Sequence, residues 1–278
     1  MSVITISRGS YSRGKEVAEK VASELGYGCI SRDILLEASE EFNIPEIRLG
    51  RALHDAPSVL ERFTHGRERY VSYIRKALLQ HIRKDNVVYH GLAGHYFLLN
   101  LPNVLKIRII SDMEERVKEE VRRESISAEK ARYILKKDDD ERRKWGLRLY
   151  GIDTSDSRLY DMVLNIKNIS VADAADLICQ TVRKPNFNTT TESTKILENE
   201  LLSAKVHAAL VKTYPKLIVT ADDGTVTIGG SEGPWDIKND TYDEIKSIAE
   251  NVDGVKKVIM SMHRKAEDHH TVNPFHNI

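Results

Sequence analysis

The chain has 278 residues, of which 41% are hydrophobic and 30% are charged, a balance typical of folded globular proteins and not of disordered chains. Its 42 lysines and arginines are matched by 42 aspartates and glutamates, so no net positive field attracts nucleic acid or an anionic membrane. No stretch approaches the roughly 18 apolar residues of a membrane helix, and the N-terminus lacks a secretory signal pattern. We therefore expect a cytoplasmic protein with no transmembrane segment and no nucleic-acid partner.

A glycine-bracketed loop directly follows the first predicted strand, Val3 to Ile6. The run fits G-x-x-x-x-G-K, in which backbone N–H groups and a helix N-terminus surround phosphate oxygens while the lysine reaches the terminal phosphates. An amphipathic helix follows the loop and is expected to end at Gly26. We therefore predict a phosphate site formed by the loop residues Gly9, Ser10, Tyr11, Ser12, Arg13, Gly14, Lys15 and Glu16.

The loop departs from the motif at its end. A serine or threonine whose hydroxyl binds Mg²⁺ normally follows the lysine, but Glu16 stands there. A carboxylate in the first helical turn suits the helix dipole, yet it would repel phosphate if it turned inward. Phosphate binding is thus the firm expectation, and phosphate transfer is the open one.

Strands and helices alternate through the first two thirds of the chain. This alternation predicts an α/β fold, in which a parallel sheet is flanked by helices. The further predicted elements are a helix over 67–83, strands over 87–89 and 104–110, a capping box of Ser111 and Glu114, a charged helical segment to Arg148, a strand over 162–166, and a helix opened by Ser170 and Asp173 that runs to Val182.

The composition changes at Lys184, where a polar run that begins with Pro185 indicates a linker. A second, smaller α/β unit is predicted after it, in the order helix, strand, strand, helix, strand. The helix is expected over 196–211, and the turn Asp222-Asp223-Gly224 between two strands is typical of a hairpin. The predicted division is a phosphate-loop domain over 1–184, a linker over 185–194, the second unit over 195–263 and a flexible tail over 264–278.

Both units resemble known families. The run Ile4-Thr5-Ile6-Ser7-Arg8, the loop through Lys15-Glu16 and the runs Ser31–Leu35, Asp139–Arg142 and Leu159–Asn165 are similar to the cytidylate-kinase-like family. That family lies within the phosphate-loop nucleoside monophosphate kinases, and its members commonly carry Glu after the basic residue of the loop. The second unit resembles a BON domain through its hairpin strands over 218–230 and the run 248–258.

The first resemblance implies ATP-dependent phosphoryl transfer to a nucleoside monophosphate, with cytidylate as the named candidate, and the use of ATP and Mg²⁺. It implies catalytic roles for Lys15, Arg142 and Arg148, the arginines belonging to a lid, and acceptor contacts for Arg32, Asp33 and Asp139. The D-x-x-R spacing of Asp139 and Arg142 places both side chains within one helical turn. The alternative is a solvated helix with ion pairs, since residues 136–144 carry both signs of charge.

A second function remains open at this point. A kinase-like domain with weak or no turnover would respond to nucleotide, while the BON-like module binds a lipid, a small molecule or a protein partner. His90 follows a predicted strand where kinases carry an acid, and we favour a structural role for it over a contact in the nucleotide cleft. Four histidines fall within the last sixteen residues, His263, His269, His270 and His276, and we favour a solvated terminus over a metal site for them. The sequence leaves the oligomeric state open.

Overall fold

The computed structural model describes residues 2–9, 12–31, 33–43, 66–91, 94–150, 153–230 and 239–261. Of the predicted site residues, Ser10, Tyr11 and Arg32 lie outside the described residues, as do the side chains of Asp33 and Arg148. The predicted tail over 264–278 lies outside them as well.

A five-stranded sheet forms the centre of the first unit. Its strands are β1 (Val3–Arg8), β2 (Gly28–Ile30), β3 (Val87–Tyr89), β4 (Val104–Ile110) and β5 (Met162–Asn165). Their spatial order is β2-β3-β1-β4-β5, and every neighbouring pair is parallel. The predicted α/β fold is confirmed, because parallel strands need crossover connections that place helices on the faces of the sheet.

Helices cover the two faces of this sheet. The helices described in this unit are α1 (Gly14–Leu25), α2 (Asp33–Phe42), α3 (Gly66–Ile82), α4 (Gly94–Phe97), α5 (Met113–Glu124), α6 (Ala128–Tyr150) and α7 (Val171–Val182). Helices α1 and α7 bury one face together with Ile4, Ile6 and Ile107 of the strands. Helices α3 and α4 bury the other face together with Val3 and Val104. Alternate residues of β1 and β4 therefore belong to different cores.

The α3 side of the sheet becomes polar toward the carboxyl ends of the strands. On β1 the residues that share this side with Val3 are Thr5 and Ser7, and on β4 the last such polar residue is Arg108. In open α/β sheets the ligand lies in the crevice outside the carboxyl ends of the strands. The polar residues thus lie at the edge where a ligand is expected.

The capping box predicted at Ser111 and Glu114 is wrong. Helix α5 begins at Met113, and Asp112 at its N-cap makes no side-chain capping hydrogen bond. The hydroxyl of Ser111 instead donates to the carbonyl of Ile166 at 3.2 Å. The Ser111 hydroxyl is therefore hydrogen-bonded to the backbone after β5, and not to the helix N-terminus as the sequence pattern predicted.

The charged segment that follows is helical, as its composition predicts, and it forms two helices. Ser125 adopts a left-handed backbone conformation with φ 53° and ends α5. Helices α5 and α6 then pack against each other through Val117, Ala131 and Leu135. The few apolar residues in this polar segment are thus enough to fold it into a helical hairpin.

The second unit has the predicted order of elements. It consists of α8 (Thr191–Leu210), β6 (Leu217–Asp222), β7 (Thr225–Gly230), α9 (Asn239–Glu250) and β8 (Lys257–Met260). Strands β6 and β7 are antiparallel, and β8 pairs with β7 in parallel. Asp223 and Gly224 both have positive φ, 44° and 82°, as a two-residue type I′ hairpin requires.

Helix α8 begins at Thr191, five residues before the predicted start at Ile196. Thr190 and Ser193 form a reciprocal capping box, which the sequence analysis assigned to the linker. The preceding residues are also structured, since Pro185–Phe187 form a 3₁₀ helix. The hydroxyl of Thr189 further donates to Asp85 at 2.8 Å. The chain between the two units is thus fixed to the first unit.

Helix α8 contributes to two hydrophobic cores. Leu201, Ala204 and Ala208 belong to the core between the sheet and α3. Leu202 and Val206 belong to the core of the second unit. Because helical residues three and four apart share a face, the two sets lie on different faces of one helix. The first and second units are therefore packed together through α8.

Polar contacts reinforce this packing. Glu200 of α8 pairs with Arg75 of α3 and accepts a hydrogen bond from Asn100 at 3.2 Å. His207 lies 2.9 Å from the hydroxyl of Ser72, measured from its Nδ1 atom. None of the helices within the described part of the chain is long and apolar enough to cross a membrane.

We expect His207 to make the protein less stable at acid pH. Burial, together with the nearby Arg75, lowers the pKa of His207 to about 4. Between the ordinary value of about 6.5 and that pKa, the unfolded chain binds a proton that the folded chain does not, so the free energy of unfolding falls as the pH falls. His207→Gln should reduce this loss by roughly 1–3 kcal/mol, measured by urea unfolding at pH 7 and pH 4.5. Equal losses in both proteins would contradict this prediction.

Candidate active site

The loop after β1 has the backbone of an anion site. The described residues of the loop include Ser12, which is fully buried and donates a hydrogen bond from its hydroxyl to the carbonyl of Gly9 at 3.0 Å. Arg13 is the N-cap residue of α1. It has a left-handed conformation with φ 61°, and its side chain makes no capping hydrogen bond to the helix backbone. A Cβ on Gly14 would lie 2.7 Å from the Cβ of Arg8, so glycine is required there. The first N–H groups of α1 thus lack intrahelical acceptors at the end of a tight turn.

The charged residues at the start of α1 pair with one another in the free protein. Arg13 binds the carboxylate of Glu16, with Nη2 and Oε2 at 2.8 Å. The ammonium of Lys15 lies 3.5 Å from Glu19, and 61% of the Lys15 side chain is exposed. The hydrogen bond from Arg13 to Glu16 raises the pKa of Arg13. Glu16 is therefore neutralised locally. Within the described ranges, Lys15 is held by an exposed pair that a phosphate can replace.

Three arginines lie at the start of the loop: Arg8, Arg116 and Arg142, hereafter the arginine cluster. Nη1 of Arg142 donates to the carbonyl of Arg8 at 3.1 Å. Arg116 is 7% exposed, and a Cβ on Gly9 would lie 3.6 Å from its guanidinium carbon. Arg116 binds both carboxylate oxygens of Asp139, at 2.7 Å and 2.9 Å. Helices α5 and α6 thus deliver two guanidinium groups to the loop.

The arginine cluster concentrates positive charge in a poorly solvated place. Burial lowers the pKa of Arg142, Arg8 and Arg116 lower it further, and Asp138 and Asp139 act in the opposite direction. Guanidinium groups that are partly withdrawn from water are stabilised strongly by an anion that pairs with them. The arrangement is therefore suited to phosphate groups that sit at the loop.

A second polar group lies farther along the same edge, and we call it the Arg108 cluster: Ser7, His95, Arg108 and Tyr160. The hydroxyl of Tyr160 lies 3.3 Å from that of Ser7 and donates to the carbonyl of Thr154 at 2.9 Å. Arg108 donates to the same tyrosine hydroxyl at 3.3 Å. His95 lies against the Tyr160 ring, with 5.2 Å between ring centroids. Side chains from β1, α4, β4 and the chain before β5 thus meet at one place.

The structure places the predicted site residues that follow the loop glycines differently from one another. Asp139 and Arg142 are brought to the loop, whereas Lys15 stands at the N-terminal end of α1 with its side chain turned to Glu19. Only the backbone of Asp33 and Arg148 is described, at the start of α2 and near the end of α6. Arg8, Arg116 and Arg108 were not predicted from the sequence. Arg8 and Arg108 have one sequence signal, their position in strands that end at the ligand edge, whereas Arg116 lies within the charged helix α5 and has no such signal.

His90 lies at the end of β3 and is fixed through its backbone. Its N–H donates to the carbonyl of Ile30 at 3.1 Å, and its carbonyl accepts from the hydroxyl of Ser31 at 3.2 Å. These contacts extend the pairing of β3 with β2 and favour the structural role. No group of three or more His, Cys, Asp or Glu side chains that could hold a metal occurs within the described ranges, which do not include the histidines of the tail.

Comparison of the sequence with known protein families gives a match that includes β1 and the loop after it. The model of the cytidylate kinase-like family matches residues 3–168. The chain belongs to this family. A cytidylate kinase of Ignicoccus hospitalis is 28% identical over 167 residues, which cover 59% of this chain and 90% of the relative. A cytidylate kinase of Sulfolobus acidocaldarius is 24% identical over 186 residues, covering 66% of this chain and 96% of the relative.

The solved structures support the same architecture. An uncharacterised protein from Eubacterium ventriosum aligns with a TM-score of 0.50 and 20% identity, covering 66% of this chain and 98% of that protein. This likeness concerns the fold alone. Membership of the cytidylate kinase-like family, with curated cytidylate kinases among the relatives, supports a nucleotide kinase activity and implies the use of ATP and a divalent metal.

The described residues fit ATP better than they fit a protein-bound metal. The loop backbone and the arginine cluster offer donors to phosphate oxygens. For Mg²⁺, Glu16 replaces the expected hydroxyl, and its carboxylate is engaged by Arg13. Protein sites often hold Mg²⁺ through few side chains, substrate phosphates and water. We therefore assign no side chain of this chain to the metal.

Proposed function

We propose that this protein transfers the γ-phosphoryl group of ATP to a nucleoside monophosphate, with cytidylate as the first candidate acceptor. The observation that carries the proposal is the arginine cluster, packed against the first residue of a phosphate loop and paired with Asp139. Phosphoryl transfer needs positive groups placed around the transferred group more than it needs covalent chemistry from the protein. The arginine cluster meets that need.

The reaction assigns a task to each part of the site. An oxygen of the acceptor phosphate forms a bond to the γ-phosphorus while the bond from that phosphorus to ADP breaks, which yields ADP and a nucleoside diphosphate. The loop N–H groups and Lys15 hold the donor phosphates, and Arg116 and Arg142 stabilise the charge on the transferred group. Mg²⁺ bound to ATP neutralises further charge on the phosphates. We retain Arg148 as a lid residue and Arg32, Asp33 and Asp139 as acceptor-side residues of this proposal.

A coupled assay tests the proposal directly. ADP formation is measured with ATP, Mg²⁺ and each of CMP, dCMP, UMP and AMP. We expect turnover with at least one of them, fastest with a cytidine nucleotide. Binding of ATP without turnover on any acceptor would contradict the transferase proposal and leave a nucleotide-responsive binding protein.

Lys15→Ala is expected to lower kcat/KM for ATP by about 100-fold or more, because the lysine leaves Glu19 and pairs with the donor phosphates when ATP binds. Lys20→Ala is a matched control, since Lys20 forms the same i,i+4 pair with Glu24 on α1, at 3.2 Å. The control should stay within about twofold of wild type, because exposed pairs contribute little. Equal effects of the two substitutions in steady-state kinetics would remove Lys15 from the mechanism.

We further propose a regulatory role for the second unit, which we continue to treat as BON-like. This role is favoured by α8, which belongs to the cores of both units, so a partner bound to one can affect the other. Ile218 and Ile259 are 49% and 40% exposed on the strands of that unit. Co-sedimentation of the full chain with phosphatidylglycerol vesicles tests a lipid partner. Absence of binding would leave a small molecule or a protein as the partner.

A further inference from the structure

Arg108 lies at the carboxyl end of β4, close to the phosphate loop. It is the register partner of Ser7 on β1. Gly9, the first residue of the loop, follows Ser7 by two positions, which is about 7 Å of extended chain. A group bound at Arg108 therefore lies within reach of phosphates held at the loop.

The charge of Arg108 has no acidic partner among the described residues. Its Nη1 atom donates to the carbonyl of Thr154 and to the hydroxyl of Tyr160, both of them neutral. The guanidinium carbon also lies 5.6 Å from the centroid of the Tyr160 ring. A guanidinium has five N–H donors in a planar fork that matches two oxygens of a phosphate or carboxylate. The remaining donors of Arg108 are therefore suited to an anionic ligand.

His95 provides an independent sign of a ligand. The residue is 3% exposed, and neither ring nitrogen has a hydrogen-bond partner among the residues that the structure describes. A neutral imidazole carries one N–H donor and one acceptor, and leaving such groups buried and unpaired is unfavourable. Burial and the nearby Arg108 lower the pKa of His95 to about 3, so the ring stays neutral at assay pH. Two hydrogen-bonding atoms are thus available beside a guanidinium.

We propose that the Arg108 cluster is the subsite for the phosphate monoester of the acceptor, in which Arg108 pairs with the phosphate and His95 forms a hydrogen bond to the same ligand. This inference rests on the proposed phosphoryl transfer and adds the place of its acceptor. The nitrogens of His95 are closed to solvent in the free protein. The rings of Tyr96 and Tyr160 contact His95, so an acceptor that reaches these nitrogens has to displace them.

The charge is tested with Arg108→Gln, which removes the cation and keeps an amide for the contacts to Thr154 and Tyr160. We expect the KM for CMP to rise about 10- to 100-fold, because charge-assisted hydrogen bonds to the phosphate are lost. The KM for ATP should stay within about twofold of wild type. Arg132→Gln is the matched control, because Arg132 pairs with Glu114 on an exposed helix surface at 2.8 Å. A KM for CMP that is equal in both variants would overturn the subsite.

The imidazole is tested with His95→Leu and His95→Gln. The leucine removes the unpaired polar atoms, so the melting temperature should equal or exceed that of wild type, while the KM for CMP rises about 5- to 20-fold. Glutamine restores a donor and an acceptor and should recover part of that loss. A stable His95→Leu variant with an unchanged KM for CMP would show that His95 does not contact the acceptor.

Direct binding separates this inference from the proposed function. Isothermal titration of the full chain compares CMP with cytidine, which lacks the phosphate. Arg108→Gln should weaken the binding of CMP at least tenfold and leave the binding of cytidine unchanged. If the wild type binds CMP in this Arg108-dependent way without turnover, the transferase proposal fails and the subsite stands. If the wild type turns over and Arg108→Gln binds CMP normally, the subsite alone fails. No binding of CMP, dCMP, UMP or AMP by the wild type would overturn both.

Discussion

Replacing Arg142 with alanine is expected to lower kcat for phosphoryl transfer by about 100- to 10,000-fold with little change in the amount of folded protein. Arg142 combines three features that point to the transition state: a partly buried guanidinium whose pKa is lowered chiefly by burial, a hydrogen bond to the carbonyl of Arg8, and two like-charged neighbours that lower the pKa further against the opposing effect of Asp138 and Asp139. Like charges that are held together away from water repel each other, so an anion that forms between them is strongly stabilised. The loss should therefore appear mainly in kcat.

Arg143→Ala is the matched control for this experiment. Arg143 is the next residue of α6, but its side chain is 58% exposed and pairs with Asp153 at 2.7 Å. An exposed ion pair contributes little, so kcat should stay within about twofold of wild type. Arg142→Lys keeps the charge and should recover part of the activity. If Arg142→Ala keeps wild-type kcat while it binds ATP normally, the lid role assigned to this arginine is wrong.

Ending the chain at Thr189 is expected to unfold the first unit or make it aggregate at 37 °C. The truncation removes α8, whose residues Leu201, Ala204 and Ala208 cover the apolar face of α3. Burial of a leucine contributes roughly 1.5–3 kcal/mol, so the lost cover is comparable with the total stability of an ordinary domain, about 5–15 kcal/mol. Solubility and thermal unfolding monitored by circular dichroism provide the measurement.

Two neighbouring substitutions separate this effect from the loss of the second unit. Leu201 is buried in the core of the first unit and Leu202 in that of the second. Each Leu→Ala change should cost about 2–5 kcal/mol, but only Leu201→Ala should lower the melting temperature of the first unit. A truncated chain that stays folded and binds ATP as tightly as the full chain would show that α8 is dispensable for the first unit.

The packing of α8 shows where sequence reasoning reached its limit. The predicted boundary followed the polar run from Pro185 to Thr194, and polar runs usually separate domains. Here Thr190 and Ser193 cap a helix, and Thr189 binds Asp85 in the first unit. Short polar side chains suit both linkers and helix caps, so composition alone does not distinguish the two.

The residues of the candidate site were likewise predicted only in part. The strand before the loop and the helix after it lie where the sequence predicts them, because the signals for both belong to one short run of the chain. Arg116 and Arg108 could not be predicted in this way. An arginine in a charged helix or at a strand end is usually a solvated residue, and only the register of β4 with β1 and the packing of α5 on α6 bring these two to the loop.

By itself the sequence determined the local elements: the parallel-sheet alternation, the strand and helix on either side of the glycine-bracketed loop, the hairpin at Asp223-Gly224 and the order of the second unit. These features depend on residues that are neighbours in the chain, through hydrophobic periodicity, backbone conformation and capping. Only the tertiary structure decided that α8 belongs to two cores, that three arginines meet at Gly9 and that His95 is buried beside Arg108 with no hydrogen-bond partner in the described part of the chain. Those features depend on contacts between residues far apart in sequence, which burial and strand register set together.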